Sequence, residues 1–220
     1  MAPDPGFAGS TIGRKVVMAV TGAILFGFVL IHMLGNLQVY LGAAALNHYG
    51  VFLRELLHGT GIWIFRAVLL AAVALHIWSA ASLTRSSRRA RPVGYREQKW
   101  KESTYASRTM RWGGIIILLF VIYHLLHFTI GTAHPSFIEG DVYHNFVEGF
   151  RVVPVSIFYI LAMLALGLHL RHGVWSMFQT LGVSHPRYIR AAHVGAWIFA
   201  VVIVLGNISF PLAVLAGIVK

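Results

Sequence analysis

Four histidines lie inside long apolar stretches of the chain, His32, His76, His124 and His169, at separations of 44, 48 and 45 residues. Each interval is about one helical membrane span plus one loop, so each span brings one imidazole. An ionisable side chain within a membrane is costly enough to imply a task, and neutral imidazole is a common metal ligand. Four of them, one per span, point to shared ligation. Cysteine is absent, which removes disulfides, thiolate-ligated haem, cysteine-bound iron–sulfur clusters and cysteine zinc sites. A redox metal here must be held chiefly by histidine.

The elements that position these residues follow from composition. With 220 residues, 57% hydrophobic and 11% charged, the chain carries more apolar surface than a soluble domain of its size buries. The expected fold is all-α, a single domain over residues 1–220 of five transmembrane helices that bind haem in the bundle interior. The spans are expected at about 15–46, 60–83, 112–132, 153–181 and 191–218, each near or above the ~20 residues a helix needs to cross ~30 Å of hydrocarbon. Residues 1–13 read as an irregular lead-in. Arg14 and Lys15 before an apolar run also describe a signal peptide, but the run far exceeds the ~7–15 residues of such a segment, so no cleavage is expected.

The net charge of +11 is topological and does not indicate nucleic acid. Fourteen of the 18 Lys and Arg residues fall on the side bearing the N-terminus and four (Arg54, Arg66, Arg151, Lys220) on the other. The positive-inside rule then predicts a cytoplasmic N-terminus and an outer C-terminus in a multi-pass inner-membrane protein. The polar segment from Arg85 to Arg108 reads as a solvated loop, with docking of a soluble partner open. His48, His58, His134 and His144, in the outer connections, read as interfacial or solvated.

Depth decides how the four histidines pair. At ~1.5 Å per residue, His32 lies ~26 Å and His124 ~20 Å from the cytoplasmic border, His76 ~14 Å and His169 ~8 Å. The predicted pairs are therefore His32 with His124 in the outer half and His76 with His169 in the inner half. Two facing imidazoles at one depth supply both axial positions of a haem iron, giving a low-spin centre suited to electron transfer. Two such centres make a path across the membrane. Gly27, Gly35, Gly167 and Gly173 would let a flat macrocycle approach the backbone, or equally serve close helix packing. The sequences HLLH and HLRH add His127 and His172 as competing ligands. His124 is favoured over His127, which suits an outer propionate or a quinone oxygen; Arg171 and His172 suit an inner propionate or lipid headgroup. A di-iron enzyme would need ligands gathered at one level, often with carboxylates, and no Asp or Glu falls within the expected spans. An assembly or transport protein with incidental histidines would carry no chromophore.

In order along the chain, STIGRKVVMAVTGAILFGFVLIHMLGN, ALHIWSA, VIYHLLHF and LHLRHGVWSMFQTLG resemble the large, single-chain, di-haem cytochrome b subunit of succinate:quinone oxidoreductases, a group that includes membrane anchors of certain fumarate reductases. The resemblance implies two haem b groups, with His76 and His169 on the inner and His32 and His124 on the outer. It implies a flavoprotein subunit and an iron–sulfur subunit on the cytoplasmic side, with membrane quinone, menaquinone or ubiquinone, as electron partner. The complex would oxidise succinate, as in the tricarboxylic acid cycle, or reduce fumarate; this chain would carry electrons and anchor the catalytic pair. Some relatives place a glutamate, implicated in proton movement, two residues before the fourth-span ligand. Gly167 stands there, so no such proton route is expected. For quinone, Ser10 and Arg14 are the inner candidates, with His172, and Asn36, Gln38 and Tyr123 the outer ones, with His127. The outer end is preferred because a centre reaching that depth needs an acceptor. The second reading is a cytochrome b anchor of another membrane dehydrogenase, such as a hydrogenase or formate dehydrogenase.

Overall fold

The apolar runs become helices because a backbone in hydrocarbon must bond its own polar groups. The computed structural model describes residues 6–90, 105–183 and 185–220, with no strand among them. A short turn of helix, α1 (Gly6–Gly9), leads into α2 (Thr11–Asn36), which tightens to a 3-10 turn at Leu37–Leu41. There follow α3 (Ala43–Glu55), α4 (Gly61–Arg89), α5 (Tyr105–His124) with a π-helical continuation Leu125–Ile130, α6 (Val142–Arg151), α7 (Val153–Thr180) and α8 (Pro186–Leu215). Five of these are long and apolar enough to cross a membrane: Thr11–Leu41, Gly61–Arg89, Tyr105–Ile130, Val153–Thr180 and Arg187–Leu215. The protein is an all-α, multi-pass membrane protein.

The first span stops earlier than expected. Hydropathy runs unbroken to Leu46, but Gly42, at φ 97°, turns the chain, and the apolar residues beyond it belong to α3. Glycine alone adopts that backbone without strain. The basic segment from Arg85 to Arg108 is partly helical at both ends, with residues 91–104 outside the described set.

Local chemistry sets the helix ends. Ser10 caps α2, accepting from the Gly13 N–H at 2.9 Å, and its own hydroxyl donates to the Phe7 carbonyl. Arg14 donates to the Gly9 carbonyl (2.8 Å) and to Ser86 Oγ (3.2 Å), tying the start of α2 to the end of α4 at what we term the near end. At the far end α3 and α6 form a cap. Asp141 caps α6 through the His144 N–H at 2.9 Å and accepts from Asn47 Nδ2 of α3 at 3.0 Å. These two bonds hold its carboxyl below the usual carboxylate range. The α6–α7 corner is fixed by buried Ser156, whose hydroxyl donates to the Phe150 carbonyl at 2.6 Å. That satisfies a carbonyl the end of α6 would otherwise leave bare.

α7 lies centrally, against α2, α5 and α8, and α2 also packs on α4. Small residues set the close approaches. A Cβ at Gly167 would collide with Val204 of α8, and one at Gly206 of α8 with Met33 of α2. The buried core runs through Phe146, Phe150, Tyr159, Met163, Ile203 and Phe210.

Candidate functional site

The bundle gathers the four span histidines into two pairs on different helices. His32 of α2 faces His124 of α5, ring centres 5.8 Å apart and planes at 89°. His76 of α4 faces His169 of α7, 6.3 Å apart at 61°. Two imidazoles bound trans to one metal at the ~2.0 Å usual for a metal–histidine bond stand with ring centres ~6.2 Å apart, since ~1.1 Å separates nitrogen from centroid. Both spacings match that geometry. Among the described residues no group of three or more His, Asp or Glu side chains is gathered as a metal site.

Hydrogen bonds orient one imidazole of each pair. At the near level, Thr21 Oγ1 lies 3.2 Å from His76 Nδ1. That hydroxyl donates its proton to the Val17 carbonyl at 2.7 Å, so its oxygen accepts from His76 Nδ1–H. His76 Nε2 is thereby left without a proton and able to bind a metal. At the far level, Tyr159 Oη lies 3.3 Å from His124 Nδ1 and 3.0 Å from His127 Nδ1. Among the described residues the buried side-chain polar atoms with no partner are Ser79 Oγ, His127 Nε2 and His169 Nδ1. One belongs to a paired histidine, one lies three residues beyond His76, and one is on the histidine nearest the far pair. Such orphans fit a bound polar group better than a finished apolar core.

Of the two HxxH sequences, the first is resolved by geometry. His124 meets His32, whereas His127 turns into the cap, fully buried and stacked on Tyr123 (5.4 Å, 21°) and on His134 (4.9 Å, 29°). The π-helical stretch holds His127, and single π turns within α-helices are frequent at functional sites. His134, expected to be interfacial or solvated, is half-buried and packed on His127. Ser136 N–H donates to its Nδ1 at 3.1 Å, and its Nε2–H donates to the Asn145 carbonyl at 2.7 Å. His48 and His58 are exposed, and His144 is half-buried with Nε2 against the Ser136 carbonyl (2.9 Å). In the second HxxH, His172 is half-buried and Arg171 exposed, toward the near end of α7.

The glycines divide. A Cβ at Gly27 or Gly173 would meet nothing within 4 Å, leaving space against the helix backbone. Gly35 packs on the Tyr49 ring and Gly167 on Val204, so these two serve helix contact. Gly22 adds a close approach the sequence reading passed over, its Cβ position 3.4 Å from His76 Cε1.

The quinone candidates are separated. Ser10 and Arg14 use the polar contacts described above for capping and for joining α2 to α4. Asn36 and Gln38 flank the junction of α2 with its 3-10 turn, half-buried. Among the described residues no hydrogen bond joins them to Tyr123 or His127. Tyr123 lines an open groove of about 270 Å³ with Pro154, Val155 and Phe158 at the far end. A larger hollow, about 400 Å³ at Phe52, Glu55, Leu56, Leu57 and His58, is lined by none of the paired histidines.

Tyr159 and Thr21 are the residues that sequence reasoning missed. Depth alone could have found both. Tyr159 lies five residues beyond Pro154, ~8 Å below the far border, close to His124; Thr21 lies six beyond Lys15, ~9 Å above the near border, within a turn of His76.

No curated protein and no solved structure matches the chain. The family model described as succinate dehydrogenase/fumarate reductase transmembrane subunit matches residues 87–205, just over half of the chain. The matched stretch includes His124 and His169 and leaves His32 and His76 outside it.

Proposed function

This chain belongs to the succinate dehydrogenase/fumarate reductase transmembrane subunit family, and on that premise we propose that it is a di-haem electron carrier between an iron–sulfur subunit and membrane quinone. His76 and His169 hold the near haem b, and His32 and His124 the far one. The observation that carries this reading is the facing of two imidazole pairs at two levels, each at the spacing of two ligands on one metal. Held by two imidazoles, haem iron supplies one-electron transfer with no open position for dioxygen.

The chain's own residues prepare the two sites. Thr21 holds the His76 ring with Nε2 free, and Gly27 and Gly173 keep the backbone clear. The near end, with its excess of Lys and Arg, faces the cytoplasm in this reading, where flavoprotein and iron–sulfur subunits dock. Quinone is handled at the far end, where Tyr123 joins a groove open to lipid with a ring stacked on His127. Ser10 and Arg14 act as anchors for α2. The same cofactor pairs could serve a hydrogenase or formate dehydrogenase anchor, but family membership favours the succinate/fumarate complex.

The test is the purified complex, assayed by pyridine haemochrome and by reduced-minus-oxidised spectra. Two haems b per chain are expected. His32→Ala and His124→Ala should remove the same centre, and His76→Ala and His169→Ala the other. A wild-type complex without haem, or His32→Ala and His76→Ala abolishing one and the same centre, overturns the reading.

A further inference from the structure

Tyr159 is 6% exposed, and its ring is caged edge-to-face by Phe120 and Phe150, each at 5.0 Å between centroids. Its hydroxyl reaches two histidine Nδ1 atoms at once, His124 at 3.3 Å and His127 at 3.0 Å. A phenol has one proton to donate and lone pairs to accept. When His124 ligates through Nε2, its Nδ1 carries a proton and can only donate, so Tyr159 Oη accepts there. The phenol proton then goes to His127 Nδ1, which leaves the His127 proton on Nε2, the fully buried nitrogen without a partner.

We infer that Tyr159 is a positioning residue for the far centre: its hydroxyl fixes the ring orientation and tautomer of His124, and His127 acts behind it as the acceptor that polarises the phenol. The inference rests on the di-haem reading and adds to it. Accepting from Nδ1–H makes the ligating imidazole more basic and favours oxidised iron, and donation from Tyr159 to His127 strengthens that acceptance through the chain of bonds. Thr21 plays the simpler part at the near level: its hydroxyl proton is committed to the Val17 carbonyl, and no second histidine stands behind it. The two centres are thus given different electronic support by two hydroxyls on different helices.

The experiment is a redox titration of the two haems in the purified complex, with the centres assigned by the ligand variants above, alongside the low-spin ferric resonance spectrum. Tyr159→Phe keeps the caged ring and removes only the oxygen. The far haem should stay bound, with its oxidised-to-reduced balance shifted about tenfold toward reduced, ~59 mV for one electron, an altered far resonance and an unmoved near centre. Thr21→Val should do the converse. His127→Leu should shift the far centre in the same direction by less, while His127→Gln, which can still accept, should leave it near the wild-type value. If Tyr159→Phe fails to assemble, the His127 pair decides. Two haems present with the far potential unchanged in Tyr159→Phe, or in His127→Leu where the former does not assemble, overturns the inference and leaves the di-haem reading standing. Absence of haem from the wild type overturns that reading instead.

Discussion

Gly149 is the point where the far cap closes on the histidines, and alanine there tests the closure. A Cβ at this position would stand 2.8 Å from His127 Cε1, 3.0 Å from His127 Nε2 and 3.1 Å from His134 Nε2. Comfortable contact begins at ~3.5 Å, so one or both rings must give by roughly 0.4–0.7 Å. Neither is free to do so. His127 is bonded to Tyr159 at 3.0 Å and stacked on Tyr123, and His134 is hydrogen-bonded through both nitrogens. Overpacking at such a place costs about 1–3 kcal/mol, whereas exchanging a mid-helix glycine for alanine returns about 1 kcal/mol. Gly149→Ala is therefore expected to lower stability by up to about 2 kcal/mol. Gly113→Ala on α5, with nothing within 4 Å of the new methyl, should be neutral or stabilising by up to ~1 kcal/mol. Thermal unfolding of the two variants in the same detergent compares them directly. Should Gly149→Ala melt with or above Gly113→Ala, the packing of α6 on His127 described here is wrong.

Three further outcomes concern the frame that holds the site. Asp141→Ala removes the cap of α6 and its tie to Asn47, an expected loss of about 1 kcal/mol at neutral pH. Because the folded carboxyl titrates below its ordinary value, this stabilisation is present above ~pH 4 and is lost as pH falls through the depressed folded value. Melting curves of variant and wild type should accordingly converge in acid. Ser156→Ala leaves the Phe150 carbonyl without its donor at a position water does not reach, so a loss of about 1–3 kcal/mol is expected in the same assay. Gly167→Ala drives a methyl into Val204 and should cost up to about 2 kcal/mol after the same glycine-to-alanine gain. Adding Val204→Ala should recover part of that loss, and strictly additive effects would show that the two residues are not in contact.

What the sequence disclosed was set by which physical signal reached it. Hydropathy registers transfer into lipid, so all five spans were legible, and rise per residue was enough to pair His32 with His124 and His76 with His169 as neighbours. The same signal was blind to Gly42: the apolar residues of α3 bury one face on the cap just as a span buries itself in lipid, and only the backbone turn separates the two. Rotation about a helix axis was harder still. HLLH offers two histidines within one turn, and the π-helical register that points His127 into the cap while His124 keeps its place opposite His32 is a backbone property that periodicity does not encode. His134 read as interfacial or solvated because it follows a span, and the chain from Gly131, at φ 86° and packed on Phe137, folds it back onto His127.

The fifth span carries no paired histidine, and its packing explains why the other four can. α8 meets α7 through Gly167 and Val204, and α2 through Gly206 and Met33. Gly167 is two residues before His169, and Met33 is next to His32. Adjacent residues on a helix point about 100° apart, and residues two apart about 200°. Fixing Gly167 and Met33 against α8 therefore turns His169 and His32 away from it, His169 toward α4 and His32 toward α5, where their partners stand. In the proposed di-haem reading, a bundle of the four histidine-bearing helices alone would have to set these rotations with the cofactors themselves. The fifth helix lets the protein itself set them by contact between small and large side chains, which is the kind of preorganisation the proposed bis-histidine centres would require.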